Sequence, residues 1–246
     1  ERLAPRLTPE EFANALGGRT IKSITRRGKH ILMHFDSGAV LLTYLRMSGR
    51  FMLLAADRDD PKFTHASLLF TDGTRLIFQD QRHFGMMDLI ATEDILTTKA
   101  LCGLAPEPFS NEFSAAYLHG VLSASKRPVK ELLLDQTKVC GLGNIYAAEA
   151  LFLAGISPKR IAQQISRPRA ARLRDAIIEV LGESIGHGST MNVDPENIDG
   201  SYYGGAFESK WLVYDREGGP CSKCETAIAR IKQGGRSTYY CRKCQK

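Results

Sequence analysis

The sequence predicts an α+β multidomain protein: a first hundred residues rich in antiparallel β structure, a helical middle, and a short metal-stapled ribbon at the end. Three observations lead there. Short apolar runs separated by Asp-Ser-Gly and Thr-Asp-Gly turns fill the first part. After LAPEP (104–108) the apolar spacing becomes helical. Finally, CSKC (221–224) and CRKC (241–244), sixteen residues apart, place the thiolates of Cys221, Cys224, Cys241 and Cys244 at a spacing suited to one tetrahedral zinc. With 246 residues and 43% hydrophobic content, the chain supports one large or two medium cores plus such a module.

Taken in order, Thr8-Pro9-Glu10-Glu11 is a capping box with proline at the first helical position, and Gly17-Gly18 closes the helix it opens. Residues 20–25, 30–35 and 39–45 then read as a meander, and 67–70 with 74–78 as a further hairpin. An antiparallel sandwich or barrel follows from these. Two prolines in LAPEP make a stiff boundary, beyond which Ser110 begins a helical segment. Helices are expected over 111–123, 128–136, 144–154 and 167–186, the last with Ser166 as N-cap and apolar residues at 173, 177, 180, 181 and 185. The glycine-rich stretch 189–205 has no period and reads as a mobile loop or lid. Between the cysteine knuckles, IKQGGRSTYY (231–240) is a hairpin pattern with a Gly-Gly turn.

Charge is concentrated at that end. Residues 221–246 contain seven Lys or Arg and one acid, Glu225, which equals the net charge of +6 for the whole chain. A cationic ribbon beside Tyr239 and Tyr240 favours an anionic partner such as nucleic acid. The alternative is a structural zinc staple with a solvated basic face. Cys102 and Cys140, far apart, read as buried apolar residues in a reducing compartment. No run approaches the 18 apolar residues of a membrane span and the opening ERLAP lacks signal-peptide character, so the expectation is a soluble intracellular protein. There is no HExxH, no Gly-x-Ser-x-Gly and no P-loop, which leaves metal hydrolysis, serine-type acyl transfer and ATP use without support.

Three loops carry candidate chemistry. GLGN (141–144) turns sharply and opens a helix at Asn144, either as an anion site or as an ordinary helix–turn–helix corner. RRGK (26–29) enters a strand, with Lys29 as a candidate or as a plain surface charge. Met47 in LRMSG, with Arg82 and Phe84 in DQRHFG, reads as core packing or as an apolar finger, an arginine and an aromatic wedge that push between base pairs.

RRGK (26–29), MSGR (47–50), DQRHFG (80–85), LAPEP (104–108), GLGNIYAAEALFLAGISP (141–158) and QGGRSTYYC (233–241) occur in one order. In that combination the chain resembles the bacterial formamidopyrimidine-DNA glycosylases over nearly all its length. The sister endonuclease VIII family shares the architecture with weaker matches. The resemblance implies a β-sandwich domain (1–103), a helix-two-turn-helix domain with a lesion-capping loop (104–205) and a four-cysteine zinc finger (206–246) holding one structural zinc. It implies a monomeric bacterial enzyme of the cytoplasm, associated with the nucleoid and not with membranes, that binds damaged double-stranded DNA. Its chemistry would be base-excision repair of oxidised purines: 8-oxoguanine and formamidopyrimidines are excised through a Schiff base, and the strand is cut by β- and δ-elimination. By the same resemblance Lys29 assists catalysis near the damaged nucleotide. Arg236 grips phosphate with Asn144 and donates a proton in δ-elimination. Met47, Arg82 and Phe84 fill the gap left by the flipped base, Lys126, Arg127 and Lys130 contact phosphates, and Glu149 orders the GLGN turn.

Departures from the family accompany the matches. The family nucleophile is an N-terminal proline followed by a glutamate acid/base, whereas this chain opens at Glu1 and carries RRGK about 28 residues early, with Pro5 no substitute. The resemblance therefore implies a truncated opening, and the 246-residue polypeptide is expected to bind DNA without glycosylase activity. Phe63 replaces a DNA-contacting histidine, His83 an arginine and Arg46 a glycine, and the loop 191–205 diverges, leaving lesion preference open. An endonuclease VIII-like enzyme for oxidised pyrimidines and a non-catalytic damaged-DNA-binding protein are the alternatives; a zinc-ribbon protein of transcription or translation would leave the GLGN turn and the Met47, Arg82 and Phe84 trio unexplained.

Overall fold

A computed structural model describes residues 3–55, 57–188 and 210–246. These fall into two compact units, one of residues 3–102 and one of residues 103–188 with 210–246. The expected lid at 189–205 and lesion-capping loop at 191–205 lie outside the described residues.

The first unit opens with α1 (Pro9–Leu16), where Thr8 accepts from the Glu11 amide and the Glu11 carboxylate accepts from the Thr8 amide, closing the expected capping box. Seven strands follow: β1 (Ile21–Arg27), β2 (His30–Phe35), β3 (Ala39–Tyr44), β4 (Gly49–Ala55), β5 (Thr64–Leu69), β6 (Thr74–Asp80) and β7 (Met86–Ala91). They form a four-stranded sheet in the order β1-β2-β3-β7 and a three-stranded sheet in the order β4-β6-β5, antiparallel throughout. The sheets stay separate and share a core in which Met33, Phe35, Leu41 and Met87 of one meet Phe78 of the other, so the sandwich reading holds over the barrel. Each such fully buried large side chain contributes about 1.5–3 kcal/mol.

Strands β4 and β7 are absent from the sequence reading. Alternation in β7 is interrupted by Asp88, which is neutralised by Arg6 from 82 residues away. In β4 the run FMLLA buries residues on both faces: Phe51 packs toward the shared core while Met52 and Leu54 pack with Ile77 on the opposite side.

The second unit contains α2 (Ala115–Ser123), α3 (Val129–Leu133), α4 (Asn144–Leu153), α5 (Arg167–Gly186) and the hairpin β8 (Ala229–Gln233) with β9 (Arg236–Tyr240). Their core joins Leu118, Leu122, Leu132, Leu151, Leu173 and Ile177. Helix α2 starts four residues later than expected, because Ser114 rather than Ser110 caps it through the Tyr117 amide. Helix α3 stops at Leu133 where the Asp135 carboxylate takes the Thr137 amide and hydroxyl in a local turn. Helix α5 has the expected span, yet Ser166 makes no side-chain capping bond, and Ile185, read as part of the apolar stripe, is exposed. Cys140 is buried as expected, but Cys102 is exposed. Among the described residues no helix is long and apolar enough to cross a membrane.

Candidate nucleic-acid interface and metal centre

Four sulfurs converge at the base of the β8–β9 hairpin. The Sγ atoms of Cys221, Cys224, Cys241 and Cys244 all lie within 4.8 Å of one another, with Cys221 to Cys244 at 3.9 Å and Cys224 to Cys241 at 3.5 Å. A tetrahedron with Zn–S bonds of about 2.3 Å has edges of about 3.8 Å, close to the 3.9 and 3.5 Å separations, so the residues fit one zinc with the widest pairs drawing in slightly. As thiols they compete for protons. Hydrogen bonds with Thr226 draw Cys224 down to about 6, while the bond with Cys224 and burial push Cys244 up to about 12. A dication removes that competition by taking thiolates. The centre is closed by protein on the inner side, where Cys221, Cys241, Ile228 and Tyr239 pack on Ala148 and Phe152 of α4.

The metal base fixes the hairpin, and the hairpin places its tip. Gln233 pairs directly with Arg236 across Gly234 and Gly235, both at positive φ (54° and 76°), the geometry of a two-residue turn in which a side chain would be strained. Arg236 is thereby exposed at the first position of β9. One residue on, Ser237 meets the start of α4: the Asn144 amide Nδ2 donates to the Ser237 carbonyl at 3.1 Å and lies 3.5 Å from the Tyr214 hydroxyl. Asn144 and Arg236, which the family resemblance pairs, are brought into one neighbourhood at a helix N-terminus.

Lys130 sits beneath this neighbourhood and departs from its expected surface role. It is 1% exposed, and its ammonium donates to Asn144 Oδ1 at 2.6 Å, Thr238 Oγ1 at 2.7 Å and the Ser237 carbonyl at 3.1 Å. Three donors meet three acceptors, so none is left for a phosphate. An ammonium accepts nothing, which makes Oδ1 the Asn144 atom that faces it and turns Nδ2 toward Ser237. Burial, and then the neighbouring Arg236 charge, bring Lys130 down to about 8. Lys126 and Arg127 are exposed, and Arg127 is paired with Asp135 at 3.0 Å.

Glu149 also departs from expectation. Its buried carboxylate accepts from the amides of Leu212, Val213 and Tyr214 at 2.7, 3.0 and 2.7 Å, so it anchors the segment that carries Tyr214 rather than the GLGN turn. Burial raises its pKa against the opposing pull of those three amides. Tyr214 itself went unread in the sequence; a lone tyrosine in WLVYDREG gives no periodic signal.

In the first unit Lys29 is half-buried in the two-residue turn joining β1 to β2, where Arg27 pairs with His30. Met47 and Phe84 are 49% and 42% exposed, on loops 45–48 and 81–85 that leave the same end of the sandwich next to paired Gly49 and Asp80. Large apolar side chains held in water at loop tips are not core residues, which removes the packing alternative for both. The Arg82 guanidinium lies over the Phe84 ring at 5.2 Å, so the two project together. His83 stacks edge-on against His65 at 4.3 Å, with Phe63 at 6.3 Å, and Phe63, His83 and Arg46 all adopt positive φ. Such backbone is rare for side chains of this size and clusters at functional loops.

Comparison with known proteins finds relatives over most of the chain. Residues 1–87 match the formamidopyrimidine-DNA glycosylase N-terminal domain, 104–194 the formamidopyrimidine-DNA glycosylase H2TH domain, and 218–246 a zinc finger found in FPG and IleRS. The formamidopyrimidine-DNA glycosylase of Bacillus licheniformis is 44% identical over 238 residues, covering 97% of this chain and 86% of that protein. Among solved structures, Lactococcus lactis Fpg in complex with DNA containing an abasic site aligns with a TM-score of 0.89 at 33% identity, covering 96% of this chain and 86% of that one. The same protein in complex with Fapy-dG-containing DNA aligns at 0.88 over the same shares.

Proposed function

The chain belongs to the formamidopyrimidine-DNA glycosylase family, and from that premise we propose that it is a DNA glycosylase of base-excision repair that removes oxidised purines and then cuts the strand as an AP lyase. The observation that carries the reading is the meeting of Asn144 and the ribbon residues Ser237 and Thr238 at the buried Lys130, with exposed Arg236 beside them. A helix N-terminus, an oriented amide and an arginine together form a grip for backbone phosphate. One structural zinc, held by Cys221, Cys224, Cys241 and Cys244, fixes the ribbon and takes no part in the chemistry.

The substrates follow the relatives, since the Lactococcus lactis protein is bound to abasic-site and Fapy-dG DNA. Damaged double-stranded DNA is the partner, engaged by a monomer in the bacterial cytoplasm at the nucleoid, and the chain divides into modules 1–103, 104–205 and 206–246. Met47, Arg82 and Phe84 enter the duplex where the lesion leaves it, and Lys126 and Arg127 contact the flanking backbone. In this reading the Schiff base forms on an N-terminal proline amine of the kind the family uses, which has no counterpart among residues 1–246, while Lys29 assists at the damaged nucleotide and Arg236 donates the proton of δ-elimination.

Two measurements test this. Arg236→Ala is expected to weaken duplex binding about tenfold and to reduce the slope of log affinity against log salt by about one, since it removes one phosphate contact; fluorescence anisotropy at several salt concentrations reads both. With the polypeptide preceded by a proline-led opening, borohydride should trap an adduct on 8-oxoguanine duplex. Trapping on thymine glycol but not on 8-oxoguanine would replace this reading by the endonuclease VIII-like one, and tight lesion binding with no adduct on either by the non-catalytic one.

A further inference from the structure

The two exposed apolar tips of the first unit share one buried carboxylate. Asp80, 1% exposed at the end of β6, accepts from the Ser48 hydroxyl, the Gly85 amide at 2.6 Å and the Arg82 amide at 3.3 Å, and the Arg82 amide also reaches Ser48 Oγ at 3.1 Å. Ser48 follows Met47 directly, and Arg82 to Gly85 bracket Phe84. The backbone of Asp80 reaches a third loop: its amide donates to the Phe63 carbonyl at 3.0 Å, and its carbonyl takes the His65 Nε2 at 2.9 Å and the His83 amide at 3.3 Å. One residue therefore terminates hydrogen bonds from three loops.

Packing adds a second constraint at the same place. A Cβ on Gly49 would sit 2.5 Å from the Leu45 carbonyl and 2.9 Å from the Phe78 ring, and a Cβ on Gly85 2.5 Å from that same ring. Both loops are thus drawn down onto Phe78, which is 1% exposed in the sandwich core. Burial raises the Asp80 pKa, but Ser48 and the amides of Gly85, Arg82 and Phe84 outweigh it and hold the carboxyl below its ordinary range. The acceptor is ionised at neutral pH, when its hydrogen bonds are strongest.

We propose that Asp80 is a positioning residue for gap filling: its carboxylate locks the Met47 loop and the Arg82–Phe84 loop in one register, so that Met47, Arg82 and Phe84 enter a duplex as a single preformed wedge. The proposal rests on the reading that these three side chains occupy the space a displaced nucleotide leaves. Preorganisation is what makes it useful, since a wedge of three independently mobile tips would have to be ordered on binding, at a cost of about 0.5–1.5 kcal/mol per side chain.

The test uses the whole 246-residue chain, a duplex bearing a tetrahydrofuran abasic analogue with 2-aminopurine beside the gap, and the matched undamaged duplex. Asp80→Asn keeps the shape and one acceptor but presents an NH2 group to an amide donor. It is expected to lower the ratio of abasic to undamaged affinity about tenfold and to remove most of the 2-aminopurine fluorescence rise that reports unstacking, with zinc content and near-ultraviolet dichroism retained. Ser48→Ala, which deletes a single hydroxyl and leaves the Gly85 bond intact, should give a partial loss of the same signal, and it decides the matter if Asp80→Asn does not fold. Met47→Ala and Phe84→Ala run in parallel. If they leave fluorescence and selectivity unchanged, the gap-filling reading itself falls. If they reduce both while a folded Asp80→Asn, or Ser48→Ala, matches the wild type, the role of Asp80 alone is overturned.

Discussion

Cys241→Ser, or treatment with a strong chelator, is expected to unfold the β8–β9 ribbon and to lower duplex affinity at least about a hundredfold near physiological salt. Cys241 is fully buried and its sulfur is one of four that converge within 4.8 Å. The ribbon's apolar share of the core is small, Cys221, Ile228, Tyr239 and Cys241 against two residues of α4 and Val213, and its other ties to the helices are hydrogen bonds such as those of Lys130, Gln233 and Gln245, while the helical core is a separate cluster. Structural zinc in such modules supplies roughly 10–16 kcal/mol of apparent binding energy at neutral pH, more than a patch of that size can replace. The effect then spreads to the proposed phosphate grip, because Ser237 and Thr238 provide two of the three acceptors of Lys130 and the carbonyl that holds Asn144. Seven of the chain's basic residues are displaced at the same time. Amide exchange should show 210–246 exposed and the helices still protected, with metal analysis falling from one zinc per chain to none and anisotropy giving the affinity. Duplex binding that persists unchanged in chelator would refute the zinc site as the organiser of the interface.

How much of this was legible in the sequence depended on how far apart the interacting atoms lie along the chain. The four thiolates and the Gly-Gly turn fall within 24 residues, and both chemistries demand fixed spacing, so the metal centre and hairpin were read correctly. Helices α4 and α5 were placed to within a residue because GLGN and an apolar period mark them locally. The misreadings share a different cause. Lys130 finds two of its three acceptors 107 and 108 residues later on the ribbon, and Glu149 its three amides 63 to 65 residues on, so little nearby announces either as buried. The flanking residues did carry a hint: VKELLL sets Lys130 and Glu131, and AAEALF sets Glu149, inside an apolar run, and a charge there must be paired or hydrogen-bonded once buried. Asp88 split β7 for the same reason, its partner Arg6 lying far upstream. Met47 and Phe84 were left between core and surface by sequence alone, because apolarity does not reveal exposure; loop position decided it.

Lys130→Met should lower the melting temperature by about 5–10 °C, reversing the usual expectation for removing a surface lysine. The thioether fills the stem's volume but leaves Asn144 Oδ1, the Ser237 carbonyl and Thr238 Oγ1 facing an apolar group, each buried unsatisfied acceptor costing about 1–3 kcal/mol before relaxation. For a chain of this length 1 kcal/mol corresponds to roughly 2–4 °C. Duplex affinity should fall about tenfold as well, since Asn144 loses the donor that turns its amide. The pH dependence separates this charge from the rest of the molecule. Lys130 titrates near 8 in the folded state against 10.5 for an unperturbed lysine, so across that interval the unfolded chain holds the proton that the folded chain has released. The Lys130 contribution to stability therefore rises as pH climbs from about 8 to about 10.5. Duplex affinity should move the other way, because neutralising Lys130 withdraws a positive charge from beneath the proposed phosphate grip as pH passes 8. Relative to Lys130→Met, wild type should thus gain stability and lose affinity across the same window. Calorimetry and anisotropy from pH 7 to 10 measure them on one preparation, and parallel profiles for the two proteins would place the charge of Lys130 outside the grip.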